Sequence, residues 1–209
     1  MKQKETILIT GGCGYIGSHI GYVLAGYGYN VILLDKVVSE HSTTWKWAKT
    51  IQADYANKKV LETIFTTQKI TAVMHCASSI SVPESVENPL DYYENNVAKT
   101  ITLLNMMIKY NITKLIFSSS CAVYGNPHII PVTEDHPLQP ASPYGTTKMM
   151  IEQIIKDTAA VHNLQFVNLR YFNVAGRIPG LYHGPQQGGN IIPLLLNAAL
   201  TGLPRVSTT

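Results

Sequence analysis

The run Gly11-Gly12-Cys13-Gly14-Tyr15-Ile16-Gly17, directly after the apolar Ile7-Leu8-Ile9-Thr10, limits what this chain can fold into more than any other feature. An apolar strand that passes through glycines at this spacing into a helix is the opening turn of a doubly wound α/β sheet. Gly11 permits the tight turn, Gly14 lets backbone approach a pyrophosphate, and Gly17 lets the new helix pack close to the strand. Tyr15 and Ile16 lie in the first helical turn, where unpaired N–H groups and a partial positive charge favour phosphate. Alone, such a run also suits a glycine-rich turn that holds nothing, so the rest of the chain has to decide.

Short apolar runs alternate with longer helical segments, the pattern of a parallel sheet covered on both faces. The spacing predicts strands at 6–10, 31–35, 50–54, 72–77, 114–119 and 165–171, and helices at 15–27, 58–66, 89–109 and 144–162. From Gly176 the composition turns to a Gly- and Pro-rich loop, followed by a helix over 191–201. The expected architecture is a doubly wound parallel Rossmann-type sheet over 1–175, with 176–209 the start of an incomplete substrate-binding domain.

Composition removes several classes of function. A net charge of +3 over 209 residues, with no basic run, gives no footing for nucleic acid. No stretch approaches the ~20 apolar residues of a membrane span, and the N-terminal apolar run is too short for a signal peptide. The three cysteines form no CxxC pair and the seven histidines no HExxH, so no metal site is expected. Unpaired thiols fit a reducing, cytoplasmic setting.

An acid at the end of the second strand would take the hydroxyls of an adenine ribose and repel a 2′-phosphate. Asp35 closes Val31-Ile32-Leu33-Leu34 and follows Gly11 by 24 positions, which favours NAD over NADP. Lys36 beside it reads as a solvated surface cation. Asp54 ends the third run, where an adenine ring would lie or where a helix cap would serve equally. His75-Cys76-Ala77-Ser78-Ser79 closes the fourth run at the ligand-binding edge of the sheet, with small residues against which a cofactor could lie. His75 lacks an orienting carboxylate in sequence, so a hydrogen-bonded structural histidine is expected.

The constellation with chemistry is Phe117-Ser118-Ser119-Ser120, followed by Tyr144-Gly145-Thr146-Thr147-Lys148. Positions i and i+4 share a helix face, so Tyr144 and Lys148 can enter one cleft. A phenol near ~10 is a poor base at neutral pH, but an adjacent ammonium and a positive nicotinamide ring favour its phenolate. That is what alcohol oxidation requires of a general base. Among 12 tyrosines and 16 basic residues one Tyr-x-x-x-Lys pair could arise by chance. Its position is the argument: it opens a helix after Ser142-Pro143, downstream of a serine triplet and a glycine loop.

Taken together with Asn88-Pro89-Leu90-Asp91-Tyr92-Tyr93-Glu94-Asn95-Asn96-Val97, Ser118-Ser119-Ser120-Cys121-Ala122-Val123-Tyr124-Gly125 and Leu169-Arg170-Tyr171-Phe172-Asn173, these motifs resemble the extended short-chain dehydrogenase/reductase family, nearest its sugar-nucleotide epimerases. The resemblance spans nearly the whole chain. It implies that Tyr144 is the catalytic base, that Lys148 holds the nicotinamide ribose, and that Ser120 binds a sugar hydroxyl. It places Gly11, Gly14, Tyr15, Ile16, Gly17, Asp35, Asp54, Tyr55, Cys76, Ala77, Ser78, Asn95, Lys148 and Phe172 around NAD. Ser120, Tyr144, Asn173, Asn190 and Ile191 would meet a UDP-sugar. The implied reaction inverts C4 of UDP-glucose or UDP-galactose through a transient 4-keto sugar, and the long helices would pair two copies as a homodimer.

Two departures stand out. Ile80 occupies the place of a family lysine that contacts the cofactor, and the family continues past residue 209 into segments that clamp the nucleotide. The 209-residue chain is therefore expected to be weakly active or inactive. Among rivals, a 4,6-dehydratase would carry an Asp-Glu pair where this chain has Ser120-Cys121-Ala122. An epimerase of UDP-glucuronate or of a UDP-N-acetylhexosamine, and a non-catalytic NAD-binding Rossmann protein, stay open.

Overall fold

The computed structural model describes residues 4–38, 45–179, 181 and 191–202. Six parallel strands form one sheet in the order β3-β2-β1-β4-β5-β6. They are β1 (Thr6–Thr10), β2 (Asn30–Asp35), β3 (Lys49–Gln52), β4 (Ile70–His75), β5 (Lys114–Ser120) and β6 (Gln165–Tyr171). Helix α1 (Tyr15–Gly26) joins β1 to β2, α2 (Lys58–Thr67) joins β3 to β4, and α6 (Pro143–Val161) joins β5 to β6. The strand order reverses between β1 and β4, which opens a crevice at the carboxyl ends of those two strands.

Alternation along each strand divides the apolar residues between two faces. Leu8, Ile32, Leu34, Val73, Leu115 and Phe117 pack on one side against Leu61, Leu103, Met107, Ile151 and Ile155. Ile7, Ile9, Val31, Leu33 and Met74 pack on the other, with Ile20, Leu24, Trp45 and Trp47. Burial on both faces is why the strands read as continuous apolar runs. Side-chain caps fix where helices begin: Asn57 accepts from the Lys59 and Val60 amides, and Ser142 accepts from Gly145.

The single helix expected over 89–109 is several pieces. A short α3 (Val82–Glu87), capped by Ser81, precedes α4 (Pro89–Tyr92), a π-helical turn over Tyr93–Ala98, and α5 (Lys99–Lys109). The third strand ends at Gln52 and the fourth at His75, so Asp54, Cys76 and Ala77 lie in the turns beyond them. The helix Ile191–Thr201, α7, stands where it was expected.

Candidate functional site

The glycine loop is wedged between β4 and its own helix. Gly11 has φ +65°, and a Cβ there would lie 2.6 Å from the Ala77 nitrogen. A Cβ on Gly17 would run into the Gly11 carbonyl oxygen. Gly14 differs: it is exposed, and a Cβ would meet only that same oxygen, at 3.3 Å. No side chain caps the start of α1 at Gly14, which leaves the amides of its first turn without a side-chain acceptor, as an anion-binding helix start requires. Asp35 is locked to this loop. Its Oδ2 accepts from the Cys13 amide and its Oδ1 from the Val37 amide, each at 3.0 Å. A carboxylate has further lone pairs, so ribose hydroxyls can still be held.

The π-turn builds the next part of the edge. The Asn96 side chain is buried; its Oδ1 accepts from the Ser79 amide at 2.8 Å, and its Nδ2 donates to the Ser79 carbonyl at 3.0 Å and to Thr147 Oγ1 at 3.1 Å. One amide thus ties the loop after β4 to the start of α6. Asn95 donates to Ser79 Oγ at 3.0 Å, and its backbone carbonyl accepts from the Tyr55 hydroxyl. Lys99 reaches Asp54 Oδ2 at 2.6 Å and Asn95 Oδ1 at 3.2 Å. Burial opposes the Asp54 charge, but hydrogen bonds from Lys99 and the Ala56 amide outweigh it and hold the carboxyl below its ordinary range.

His75 is structural, as expected. Thr100 Oγ1 donates to the Asn96 carbonyl, so it accepts from His75 Nε2 at 2.8 Å. His75 Nδ1 must then accept from Thr10 Oγ1 at 2.6 Å. Burial, helped by the Lys148 charge, pushes the imidazole down to about 3, so it stays neutral.

At the other end of the edge, Tyr144 and Lys148 occupy successive turns of α6. The Lys148 side chain is buried at 3% exposure; its ammonium donates to the Ser118 carbonyl at 2.9 Å and sits 5.7 Å from the Tyr144 ring centre. Burial pulls it down to about 8 against the opposing pull of Cys76 and Glu152. Tyr144 behaves otherwise than the sequence argument expects. Burial pushes the phenol above its ordinary value, and the Ser120 hydroxyl only partly offsets this. The chain alone therefore holds a phenol, and a phenolate needs positive charge from a bound group.

Most of the expected residues meet at one edge. Gly11 abuts Cys76 and Ala77, and Cys76 in turn is close enough to Lys148 to influence its charge. Tyr15 donates from its hydroxyl to the Gly176 carbonyl at 2.6 Å, tying α1 to the segment after β6. Ile16 and Ser78 are half-buried beside the loop ends. Phe172, at 62% exposure, and Asn173 lie on the surface past β6, and Ile191 opens α7. Asn190 lies outside the described residues. Sequence reasoning passed over Asn96, Lys99, Glu152 and Arg170. Glu152 carried a usable signal: it continues the Tyr144–Lys148 stripe by one more turn. Among the described residues no cluster of His, Cys, Asp and Glu could hold a metal, and no helix is long and apolar enough to cross a membrane.

Comparison with known proteins gives a consistent picture. The model of the NAD dependent epimerase/dehydratase family matches residues 7–208. A UDP-glucose 4-epimerase of Halalkalibacterium halodurans is 42% identical over 205 residues, covering 96% of this chain and 61% of that protein. Among solved structures, the UDP-glucose 4-epimerase from Brucella ovis in complex with NAD superposes with a TM-score of 0.89 at 35% identity, over 97% of this chain and 63% of that one. The enzyme from Stenotrophomonas maltophila with bound NAD and formylated UDP-arabinopyranose also gives 0.89, at 34% identity, over 97% and 64%. The chain spans about three fifths of the length of these relatives.

Proposed function

Since this chain belongs to the NAD dependent epimerase/dehydratase family, we propose that it holds NAD along the carboxyl edge of its sheet and inverts C4 of a UDP-hexose such as UDP-glucose or UDP-galactose. The observation that carries this reading is the buried Lys148 ammonium, fixed on the Ser118 carbonyl beneath Tyr144 at the edge where the glycine loop meets Ala77. Nothing in a generic nucleotide-binding site requires a buried ammonium beside a phenol.

The loop fits a dinucleotide on its own geometry. Gly14 and the uncapped start of α1 offer amides to the pyrophosphate, Asp35 offers acceptors to the adenine ribose, and Asp54, Tyr55 and Asn95 line the adenine end. Cys76, Ala77 and Ser78 form the floor between them. When bound, NAD would supply the hydride acceptor and donor for C4 and a positive ring that favours ionised Tyr144. Tyr144 takes the C4 hydroxyl proton as hydride leaves and gives it back after the 4-keto sugar has turned over. Ser120 holds that hydroxyl in line with the phenol. Lys148 donates to the nicotinamide ribose and keeps positive charge beside Tyr144. Asn173, Asn190 and Ile191 would meet the nucleotide sugar. We assign 1–175 to cofactor binding and 176–209 to the start of the sugar-binding part. Exposed Ile101 on α5 and Met150 on α6 support pairing of two copies through these helices.

The test is to add UDP-galactose to the NAD-loaded chain and follow the near-ultraviolet absorbance of reduced nicotinamide, with epimer ratios read by NMR. Reduction is expected, and Tyr144→Phe is expected to slow it about 10²–10⁴-fold with NAD affinity retained. Binding of NAD with no reduction by any of a panel of UDP-hexoses, UDP-hexuronates and UDP-N-acetylhexosamines overturns the catalytic reading.

A further inference from the structure

Three consecutive residues of β5 hold three successive turns of α6. The Ser118 carbonyl accepts from Lys148, the Ser119 hydroxyl donates to Glu152 Oε1, and the Ser120 hydroxyl lies by Tyr144. Tyr144, Lys148 and Glu152 stand four residues apart, on one helix stripe. At the far end of this ladder Arg170 of β6 grips Glu152 with a fork: Nε lies 3.0 Å from Oε1 and 3.2 Å from Oε2, and Nη2 lies 2.7 Å from Oε2. Its remaining nitrogen, Nη1, donates to the Tyr124 hydroxyl at 2.7 Å and to the Glu134 carbonyl at 3.0 Å. The Glu152 side chain is 6% exposed and that of Arg170 22%.

A buried ion pair is a poor way to gain stability, because desolvation consumes most of the attraction and apolar residues of like volume serve as well. A bidentate fork instead fixes direction. We propose that Glu152 and Arg170 are positioning residues for the Tyr144–Lys148 pair: the fork sets the register of α6 on β5, and the Glu152 carboxylate sustains the ammonium of Lys148. This rests on the assignment of Tyr144 and Lys148 given above.

The surroundings of Lys148 single out Glu152. From β4 and the turn after it come His75 and Cys76, the first held neutral by burial and the second kept protonated by burial, which pushes its thiol up to about 12. From β5 comes the Phe117 ring, 5.0 Å from the ammonium. Tyr144 on the same helix is a phenol, and Tyr171 on β6 is also pushed up by burial. Of the two groups that support the ammonium, Cys76 and Glu152, Cys76 keeps its proton at neutral pH, so Glu152 is the one that carries a charge there, and Arg170 partly neutralises it.

Glu152→Gln keeps the size of the side chain and removes its charge, at the loss of one acceptor of the Arg170 fork. Arg170→Met removes the neutralising partner. Lys148 is titrated in the full chain, without NAD, through the pH dependence of the difference in unfolding free energy between each background and its Lys148→Met counterpart. The midpoint is expected to move to lower pH in Glu152→Gln and to higher pH in Arg170→Met. A purely structural role changes melting temperature without moving the midpoints in opposite directions. An unchanged midpoint in Glu152→Gln overturns the proposal, whatever Arg170→Met does and whether or not it folds. NAD titrations at pH 8 separate the two assignments. A several-fold loss of affinity in Glu152→Gln supports both, whereas a moved midpoint with unchanged affinity upholds the coupling and overturns the contact between Lys148 and cofactor.

Discussion

Replacing Lys148 with methionine is expected to abolish a pH dependence of stability that belongs to one side chain. Burial lowers its ammonium from the ordinary 10.5 to about 8, against the pull of Cys76 and Glu152. The unfolded chain then binds more protons than the folded one between those values. Stability therefore rises with pH from about 8 to 10.5, and the penalty is fully present below that window. At about 1.4 kcal/mol for each tenfold change in proton affinity, holding the charge costs the fold about 3 kcal/mol at pH 7 and about 1 kcal/mol at pH 10. Methionine avoids this cost, but it leaves the Ser118 carbonyl without the ammonium donor now at 2.9 Å. That loss is about 1–3 kcal/mol at every pH. The two effects nearly offset at pH 7, so the discriminating quantity is the change with pH. Relative to the parent, the variant is expected to lose about 2–3 kcal/mol between pH 7 and pH 10, or roughly 5–10 °C in Tm. Urea unfolding of both proteins at the two pH values measures it, and His75, Cys76 and Tyr144 titrate in both and largely cancel. A difference independent of pH, or one that moves in the variant's favour, refutes the reasoning, for then the partners of the ammonium would outweigh its desolvation.

Four further substitutions test the cofactor edge. Gly17→Ala forces α1 off the Gly11 carbonyl and is expected to destabilise the fold by about 1–3 kcal/mol in thermal unfolding. Gly14→Ala meets only a 3.3 Å contact, so it should leave Tm nearly unchanged while weakening NAD in calorimetric titration. Asn96→Ala leaves the Ser79 amide and carbonyl and the Thr147 hydroxyl short of partners, and a loss of about 1–3 kcal/mol in urea unfolding is expected. Asp35→Ala removes the acceptor of two backbone amides and the charge that repels a 2′-phosphate, so the ratio of NADP to NAD affinity is expected to rise.

The sheet was legible because each strand obeys a local rule. β1 and β6 match their expected bounds, and the period-2 division of Ile7, Leu8 and Ile9 between two cores follows from alternation alone. The stretch 82–98 was not legible, because its breaks come from particular bonds rather than from apolar period. Ser81 caps a short helix, and Asn88 then leaves helical backbone before Pro89. The π-turn that follows turns Asn95 and Asn96 toward Ser79, a residue in the loop after β4. No local pattern announces partners so far apart in sequence.

The site divides the same way. The meeting of Gly11 and Gly17 at the first turn, and of Tyr144 and Lys148 on one helix face, was readable because it depends on spacing. The protonation of Tyr144 was not, because it depends on how much water the fold removes. Sequence reasoning weighed the neighbouring ammonium and a nicotinamide ring, which favour phenolate, but not burial, which acts in the opposite direction and wins in the protein alone. The same burial that raises the phenol also weakens the hold of Lys148 on its proton. Both groups are therefore drawn toward their neutral forms until a positively charged ring lies beside the phenol. On the proposed function, that coupling gives Tyr144 a condition: it ionises where the cofactor is seated. Alcohol oxidation without an acceptor for the hydride is then disfavoured by the electrostatics of the edge itself.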